Sequence, residues 1–371
     1  MFKGSAKELK TVIDVTSSIN QPLFISGAPG IGKSMIVKDD AISRAKMKGL
    51  EFVDWNASTD KKKKEMFISP QKFYVFIDQR LSQFDVTDLR GLPQIQSETE
   101  WLVTKPYAWA VYITKPKANG TVFFDEINLA SPIVAGSAYQ IINDRVVADT
   151  KLSDDIYICG AGNRAVDQAH VHDMPLPLRD RFAEFELTVN SDEWIDWAIG
   201  QKVNHHLINL IKWKATLLYN VSEESADKST TPRGVARLSK LLTQTRNISD
   251  DKTYMLAAIS CGEGFASEFQ GYVRYFEDMN WDTIYKNPKS VQSFNVNKVY
   301  ALIGGLVEHF QKSSHTAEGI VSIIENLKPD FSIYTLRLMR DFDKNLFLKS
   351  IVKTDAFKKA VKKQNWAKFL S

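Results

Sequence analysis

The first half of the chain alternates between short apolar runs and helical patterns. Apolar runs with the length and composition of buried strands occur at 22–26, 73–78, 120–124, 156–163 and 182–187. Apolar residues at helical spacing predict helices over 6–18, 35–45 and 132–142. Residues 51–55 are compatible with one more strand, and 145–152 with a hairpin.

The second half of the chain carries helical patterns. Apolar faces at helical spacing predict helices near 267–275, 299–310, 320–327 and 334–347. A last helix would place Phe357, Ala360 and Val361 on one side and the pairs Lys358/Lys362 and Lys359/Lys363 on another. From Lys349 onward the chain carries seven lysines and one acid, whereas the whole chain has a net charge of only +4. Such a lysine face is either solvated or a contact for nucleic acid or an acidic partner.

Length and composition indicate a soluble globular protein. The chain has 371 residues, 44% of them hydrophobic, which is enough for a large core and two or three domains. It contains no apolar run of membrane-spanning length, and its N-terminus lacks a secretory signal, so we expect a cytoplasmic protein without a membrane partner. Cys159 and Cys261 have no C-x-x-C spacing and no histidine at metal-ligand spacing, so neither a disulfide framework nor a zinc site is indicated.

One stretch matches the pattern G-x-x-x-x-G-K-[ST] of phosphate-binding loops. It comprises Gly27, Ala28, Pro29, Gly30, Ile31, Gly32, Lys33 and Ser34, with Met35 directly after it. The glycines let backbone N–H groups turn toward phosphate oxygens, Lys33 reaches the β and γ phosphates, and the Ser34 hydroxyl can ligate Mg²⁺. The helix that begins here adds the positive end of its dipole.

Two carboxylates follow the apolar run at 120–124. Asp125 and Glu126 stand where a buried strand would end, an unusual place for two acids unless a cation is bound there. In phosphate-loop NTPases the Asp at this strand end holds Mg²⁺, and a neighbouring Glu can take a proton from the attacking water. The alternative is that the pair caps the next helix.

Polar residues at two further strand boundaries complete the candidate set. Asn163 ends the run at 156–163, where it either orients the attacking water, contacts the γ-phosphate or serves the turn itself. Arg179 and Arg181 precede the run at 182–187. They either form a surface ion-pair cluster or face phosphate charge on a neighbouring molecule.

Two segments of mixed character leave their interpretation open. Residues 94–119 interleave lysines with the aromatic residues Trp101, Tyr107, Trp109 and Tyr112. These aromatic side chains either stack on bases or grip a polypeptide, or they form the inner face of a small subdomain. The lysine run within 60–65 favours an exposed, solvated turn over a binding site.

Six motifs occur in a fixed order between about residues 8 and 245. They are GAPGIGKS, DLRGLP, FFDEINLASP, GAGNR, LPLRDRF and TPRGVARL. In this combination the chain resembles the AAA+ ATPases, and within them the MoxR-like branch in its bacteriophage versions. The motif GAGNR differs from the corresponding motif of bacterial relatives, so the resemblance assigns no role to Arg164.

The resemblance implies a fold and a domain organisation. An α/β core with a five-stranded parallel sheet would occupy residues 1–190, with 94–119 as an insert before the strand that leads to Asp125. A helical lid would follow over 191–248, and a helical C-terminal domain over 249–371.

The resemblance also implies ATP and Mg²⁺ as ligands and a role for each candidate residue. Lys33 and Ser34 would bind phosphates and Mg²⁺, Asp125 would complete the Mg²⁺ site, Glu126 would activate water, Asn163 would act as sensor 1, Arg181 as an arginine finger assisted by Arg179, and Arg233 as sensor 2. An arginine finger acts on ATP held by the adjacent subunit, so a ring is implied, hexameric as in relatives.

Three functions compete at this stage. The first is a ring ATPase that remodels a protein client, since MoxR-like relatives often work with proteins that have von Willebrand factor A-type domains. The second is a DNA-directed motor or loader in phage replication or packaging, working in the host cytoplasm, which the basic tail and the aromatic segment favour. The third, a nucleotide-regulated scaffold, is less favoured because a base and a finger are both present.

Overall fold

The computed structural model describes residues 1–96, 102–164, 179–220, 230–245, 248, 252–364 and 366. It divides into two compact units, Met1–Val189 and Asn190–Ser371. The described part of the first unit combines strands and helices, and that of the second is helical apart from one isolated bridge. No helix within these ranges has the length and apolar composition needed to cross a bilayer.

A parallel sheet forms the centre of the first unit. Its described strands and hairpin strands are β1 (Phe2–Gly4), β2 (Leu23–Ser26), β3 (Glu51–Asp54), β4 (Phe73–Arg80), β5 (Leu92–Ile95), β6 (Leu102–Lys105), β7 (Asn119–Asp125), β8 (Val146–Val147), β9 (Thr150–Lys151), β10 (Ile156–Gly162) and β11 (Ala183–Leu187). Seven of these form one sheet in the order β1-β11-β2-β10-β7-β4-β3, with all neighbours parallel. The pairs β5–β6 and β8–β9 are antiparallel hairpins.

The five strands expected from the sequence lie side by side in this sheet, which confirms the α/β class. Two further strands extend it at its edges. β3 lies beside β4, at the position where the sequence allowed a strand. β1 was not indicated by the sequence, and it pairs with β11 through Phe2 and Phe185. Three residues are too few for an alternating pattern to appear, so only the pairing reveals this strand.

Helices cover the sheet of the first unit. They are α1 (Ala6–Ser18), α2 (Lys33–Met47), α3 (Asp60–Ile68), α4 (Val86–Arg90), α5 (Ala108–Ile113) and α6 (Pro132–Tyr139), which continues into a π-helical turn over Gln140–Asp144. α1 begins where predicted, because Ser5 and Glu8 form a capping box at its start. α2 packs over β3, β4 and β7, so the helix that follows the phosphate loop lies across one face of the sheet.

The lysine-rich segment at 60–65 is a helix, and the prediction of a turn is wrong there. Thr59 caps the first turn of α3 by accepting a hydrogen bond from the Lys62 N–H. Lys62 also forms ion pairs with Glu51 and Glu65, and the Lys63 ammonium lies 5.0 Å from the centre of the Trp55 ring. The lysine content of the segment does not predict these contacts, because two of the partners, Glu51 and Trp55, lie in β3 and directly after it.

Two aromatic side chains of the segment at 94–119 pack into the core of the first unit. Trp109 and Tyr112 lie on α5, are buried, and belong to the same apolar core as Phe124 of β7. Burial excludes a stacking platform for these two side chains and agrees with their interpretation as an inner face, although the core that they face is that of the first unit. Tyr107 is exposed, and Trp101 lies outside the described residues.

Helices make up the second unit. They are α7 (Ser191–Gly200), α8 (His205–Trp213), α9 (Pro232–Leu242), α10 (Lys252–Cys261), α11 (Glu263–Glu277), α12 (Trp281–Lys286), α13 (Val296–Lys312), α14 (Ala317–Glu325), α15 (Pro329–Phe342), α16 (Lys344–Lys349) and α17 (Asp355–Gln364). Three predicted helices are confirmed as α11, α13 and α14, and the one predicted at 334–347 is divided by Asp343 into α15 and α16. In α17, Phe357 and Ala360 are buried while Lys358 and Lys359 are exposed, as predicted. The division at residue 248 stays a prediction.

Candidate nucleotide-binding site

The loop between β2 and α2 has the backbone form that phosphate binding needs. β2 is fully buried and ends at Ser26, and α2 starts at Lys33. Gly32 precedes the helix with a φ of 103°, in the left-handed region that favours glycine. The unbonded N–H groups of the first turn therefore face the loop, where they favour an anion.

The Lys33 ammonium lies inside this loop. The side chain is buried, and its Nζ donates to the carbonyl oxygens of Gly27 at 2.6 Å and Ala28 at 3.1 Å. It also donates to Oδ1 of Asn163 at 3.1 Å. The structure thus brings the predicted loop lysine and the predicted sensor asparagine into direct contact across 130 residues of sequence.

The ends of three parallel strands place the other candidates at the same edge. Gly162 is paired with Ser26, and Gly160 with Phe124. Asn163 and Asp125 therefore lie near the start of the phosphate loop, with β10 between β2 and β7. In open α/β sheets, ligands bind at this carboxyl edge of the strands.

The two predicted carboxylates differ in their surroundings. Asp125 Oδ1 accepts a hydrogen bond of 2.9 Å from the Glu126 N–H. Burial raises the pKa of Asp125, an effect that this hydrogen bond and the nearby charge of Lys33 partly offset. Glu126 has a φ of 57°, and its carboxylate accepts a hydrogen bond from the Ser82 hydroxyl. A left-handed backbone of this kind is uncommon for a residue other than glycine.

Sequence reasoning missed two charged residues at the end of β4. Arg80 on β4 lies opposite Asp125 on β7 in the strand register. Asp78 lies two residues before Arg80 and therefore on the same face of β4. Burial, together with the charge of Asp125, raises the pKa of Asp78 to about 6. Its Oδ1 is buried and has no hydrogen-bond partner among the described residues. The polar residues that end the run at 73–80 were the available signal.

The raised pKa of Asp78 predicts a pH-dependent stability. A carboxyl group with a raised pKa contributes stability at low pH, which is lost as the pH rises through about 6. Asp78→Asn cannot ionise, so its melting temperature should exceed that of the wild type at pH 7.5 by about 2 to 4 °C. The difference should disappear at about pH 3, below the ordinary pKa of the carboxyl group.

Calorimetry in EDTA without nucleotide would measure these melting temperatures. Asp149→Asn, a change at an exposed turn residue, is the matched control and should show no such dependence. An equal effect of Asp78→Asn at both pH values would refute the prediction.

Asn128 holds the predicted sensor loop in place and was not indicated by the sequence. Its Oδ1 accepts from the Asn163 N–H at 3.1 Å, and its Nδ2 donates to the Asn163 carbonyl at 2.6 Å. Asn128 is buried in the turn that follows Glu126. The turn after β7 and the end of β10 are therefore coupled, so Asn163 keeps its position relative to Glu126.

The arginines before β11 lie at the amino ends of the strands, opposite the edge that carries the loop at 27–34. Ala183 is paired with Leu23, and the Gln21 side chain donates to the Arg181 carbonyl at 2.7 Å. From Gln21 to Gly27 the nearly extended chain covers about 20 Å. The Arg181 side chain is exposed, and a hydrogen bond with Tyr139 raises the pKa of its guanidinium. This distance keeps Arg181 away from the phosphate loop of its own chain.

The remaining arginines have different surroundings. Arg179 pairs with both oxygens of Glu184, at 2.6 and 3.2 Å, so it takes part in the surface ion pair that the sequence allowed. Arg164 lies 3.6 Å from Glu186, at the end of β11. Arg233 is exposed in the first turn of α9, where Thr231 caps the helix and Pro232 occupies its first position. Its predicted role as sensor 2 stays a prediction.

A scan against protein-family models and a search of curated proteins each return no match. Among solved structures, NtrX from Brucella abortus in complex with ADP is similar at a TM-score of 0.38 and 10% identity, over 83% of this chain and 65% of that chain. A candidate ATPase from Cytophaga hutchinsonii is similar at a TM-score of 0.30 and 11% identity, over 98% and 88% of the two chains. Likenesses this distant leave function to be inferred from the site itself.

Proposed function

We propose that this chain is an ATPase of the AAA+ type that binds ATP with Mg²⁺ in the loop at 27–34. The observation that carries the proposal is the position of the Lys33 ammonium, which contacts both the loop carbonyls and Asn163. Asp125 and Glu126 end the strand two places away at the same edge. Phosphate-binding groups and a candidate base thus converge at one place, as phosphoryl transfer to water requires.

Each residue has a physical task in this proposal. Loop N–H groups and Lys33 bind the phosphate oxygens and offset their charge. Glu126 accepts a proton from the attacking water, and Asn163 orients that water or contacts the γ-phosphate. Asn128 keeps Asn163 in position through its two hydrogen bonds. Met35, exposed at the third position of α2, lies beside the loop rather than within it.

The residues at the strand edge fit a magnesium ion. Ser34 offers a hydroxyl oxygen and Asp125 a carboxylate, the hard oxygen donors that Mg²⁺ prefers. The mutual repulsion of Asp78 and Asp125 would be relieved by a bound cation, in agreement with the buried and unpartnered oxygen of Asp78. When bound, the ion neutralises charge on the transferred phosphate.

We infer that the active form is an assembly. Arg181 lies about 20 Å from the loop of its own chain along β2, so the phosphate charge that it meets belongs to a neighbouring subunit. A ring, hexameric as in the AAA+ proteins that the motifs resemble, would place Arg181 of each subunit against the ATP of the next. Arg233 would contribute from the helical unit as sensor 2.

Remodelling of a protein client is the preferred use of this hydrolysis. The MoxR-like motifs in their phage version support it, and a client with a von Willebrand factor A-type domain is the expected partner. The DNA-directed alternative loses support, because Trp109 and Tyr112 are buried and cannot stack on bases. Exposed Lys358 and Lys359 on α17 remain in its favour. Stimulation of the ATPase by single-stranded DNA, weakened by salt, would reverse the preference.

Lys33→Ala tests the nucleotide site directly. Loss of charge-assisted hydrogen bonds worth about 3 kcal/mol should weaken ATP binding roughly 100-fold. Isothermal titration calorimetry measures the affinity, and circular dichroism checks the fold. Lys48→Ala is the matched control, because Lys48 follows the same helix but pairs with Asp155. Equal ATP affinity in wild type and Lys33→Ala would overturn the proposed site.

A further inference from the structure

A cluster of three potential metal ligands lies in the second unit, far in sequence from the nucleotide site. His205 and His206 open α8, and Glu308 lies on α13. One ring nitrogen of each histidine and one carboxylate oxygen of Glu308 lie within 4.8 Å of one another. Both histidines are more than nine-tenths buried.

The His206 ring lies between Tyr272 and Glu308. Its Nδ1 lies 3.1 Å from the Tyr272 hydroxyl, which itself donates to the Tyr300 carbonyl at 3.4 Å. When the Tyr272 hydroxyl donates to Tyr300, its oxygen accepts from His206 Nδ1–H, and in that tautomer the Nε2 lone pair of His206 faces Glu308 Oε2 at 3.2 Å. Two electron-rich atoms at this separation require a proton or a metal cation between them.

The backbone makes room for this arrangement. A Cβ at Gly304 of α13 would lie 2.7 Å from His206 Nδ1, and closer still to the Tyr272 oxygen. Only glycine allows the His206 and Tyr272 side chains to meet beside α13. A hydrogen bond from the second ring nitrogen is the usual way in which proteins orient a metal-binding histidine.

His205 supplies a second imidazole, and one of its ring nitrogens makes no hydrogen bond with the described residues. Its Nε2 is buried and has no hydrogen-bond partner among the described residues. Buried polar atoms of this kind are uncommon, because leaving them unpaired costs free energy. A metal ion binds an imidazole through a ring nitrogen of this kind.

We propose that His205, His206 and Glu308 form a site for a divalent transition metal of the zinc type, which ties the start of α8 to α13. Two imidazoles and a carboxylate are a known donor set for Zn²⁺, with bonds of about 2.0–2.2 Å. Tetrahedral ligands at this distance are about 3.4 Å apart, close to the observed 3.2 Å between His206 and Glu308.

The surroundings of Glu308 are compatible with metal entry. Lys312 holds the other carboxylate oxygen, Oε1, and thereby leaves Oε2 directed at His206. The Glu308 side chain is 19% exposed, so Glu308 is the member of the cluster that contacts solvent most. Three protein ligands leave a fourth position for water.

Metal titration of the tag-free full chain tests the site. The protein is stripped with EDTA and titrated with Zn²⁺ by calorimetry, and with Co²⁺ by visible absorption. We expect one metal ion per chain and a melting temperature that rises with Zn²⁺. Glu308→Gln and His206→Gln should each weaken Zn²⁺ binding at least tenfold, about the lower range for damage to a metal site.

His315→Gln is the matched control, because His315 stacks on Tyr285 and His309 elsewhere in the same unit. It should leave the affinity unchanged. If His206→Gln fails to fold, Glu308→Gln and the wild type still decide the question. A wild type that binds no Zn²⁺, or equal affinity in Glu308→Gln and His315→Gln, would mean that a proton alone bridges His206 and Glu308. None of these measurements depends on ATP.

Discussion

Arg181→Ala should hydrolyse ATP about 10³- to 10⁵-fold more slowly than the wild type while it still binds ATP. The loss is large because charge develops on the phosphate oxygens in the transition state, and a guanidinium stabilises it there. The effect should arise between subunits, because Arg181 stands at the sheet edge opposite its own phosphate loop. Steady-state phosphate release at high protein concentration measures it.

Mixing two inactive variants shows whether Arg181 acts on the ATP of a neighbouring subunit or on that of its own subunit. Lys33→Ala keeps Arg181 but should not hold ATP, and Arg181→Ala should hold ATP but lacks the proposed finger. A mixture of the two should recover part of the activity, since each intact arginine then meets an intact neighbouring site. Arg179→Ala is the control and should lose much less, because Arg179 is engaged with Glu184. Normal turnover by Arg181→Ala, or no recovery on mixing, would contradict the arrangement.

Glu126→Gln should bind ATP with nearly wild-type affinity and hydrolyse it about 100- to 10,000-fold more slowly. Glutamine keeps the size and polarity of the side chain but cannot accept the proton of the attacking water. A single-turnover assay separates this loss from any change in binding. The variant should also trap the ATP-bound assembly, whose mass would give the number of subunits.

The control for this variant is Glu186→Gln. Glu186 also lies near the carboxyl edge of the sheet, on β11, but it pairs with Lys3 and Arg164. Its loss should leave turnover within about a few fold of the wild type, as for changes away from the reacting groups. Unchanged turnover in Glu126→Gln would remove Glu126 as the base and direct attention to Asp78.

Elements with a strong local signal were predictable from the sequence. The loop at 27–34 combines required residue types at fixed spacing, and Ser5 with Glu8 marks the start of α1. The buried strands at the centre of the sheet are apolar along their whole length, as expected for strands covered on both faces. These signals survive folding because they arise between residues close in the chain.

Elements that depend on a distant partner were not predictable. β1 exists because β11 offers a free edge to Phe2–Gly4. The segment at 60–65 carries charges typical of a turn, yet it is a helix whose lysines meet Glu51 and Trp55. For Trp109 and Tyr112 the sequence left open a stacking surface or an inner face, and their burial follows from the way α5 packs into the core.

The sequence by itself determined the loop at 27–34, the strand that ends at Asp125 before Glu126, and the alternation of strands and helices in the first unit. Only the tertiary structure decided that Lys33 meets Asn163, that Asn128 holds Asn163, that Asp78 lies beside Asp125, and that Glu308 faces His206. The physical reason is that apolar periodicity, capping and loop chemistry act over a few residues. Strand order and helix packing act between residues far apart in the chain, and no local spacing encodes them.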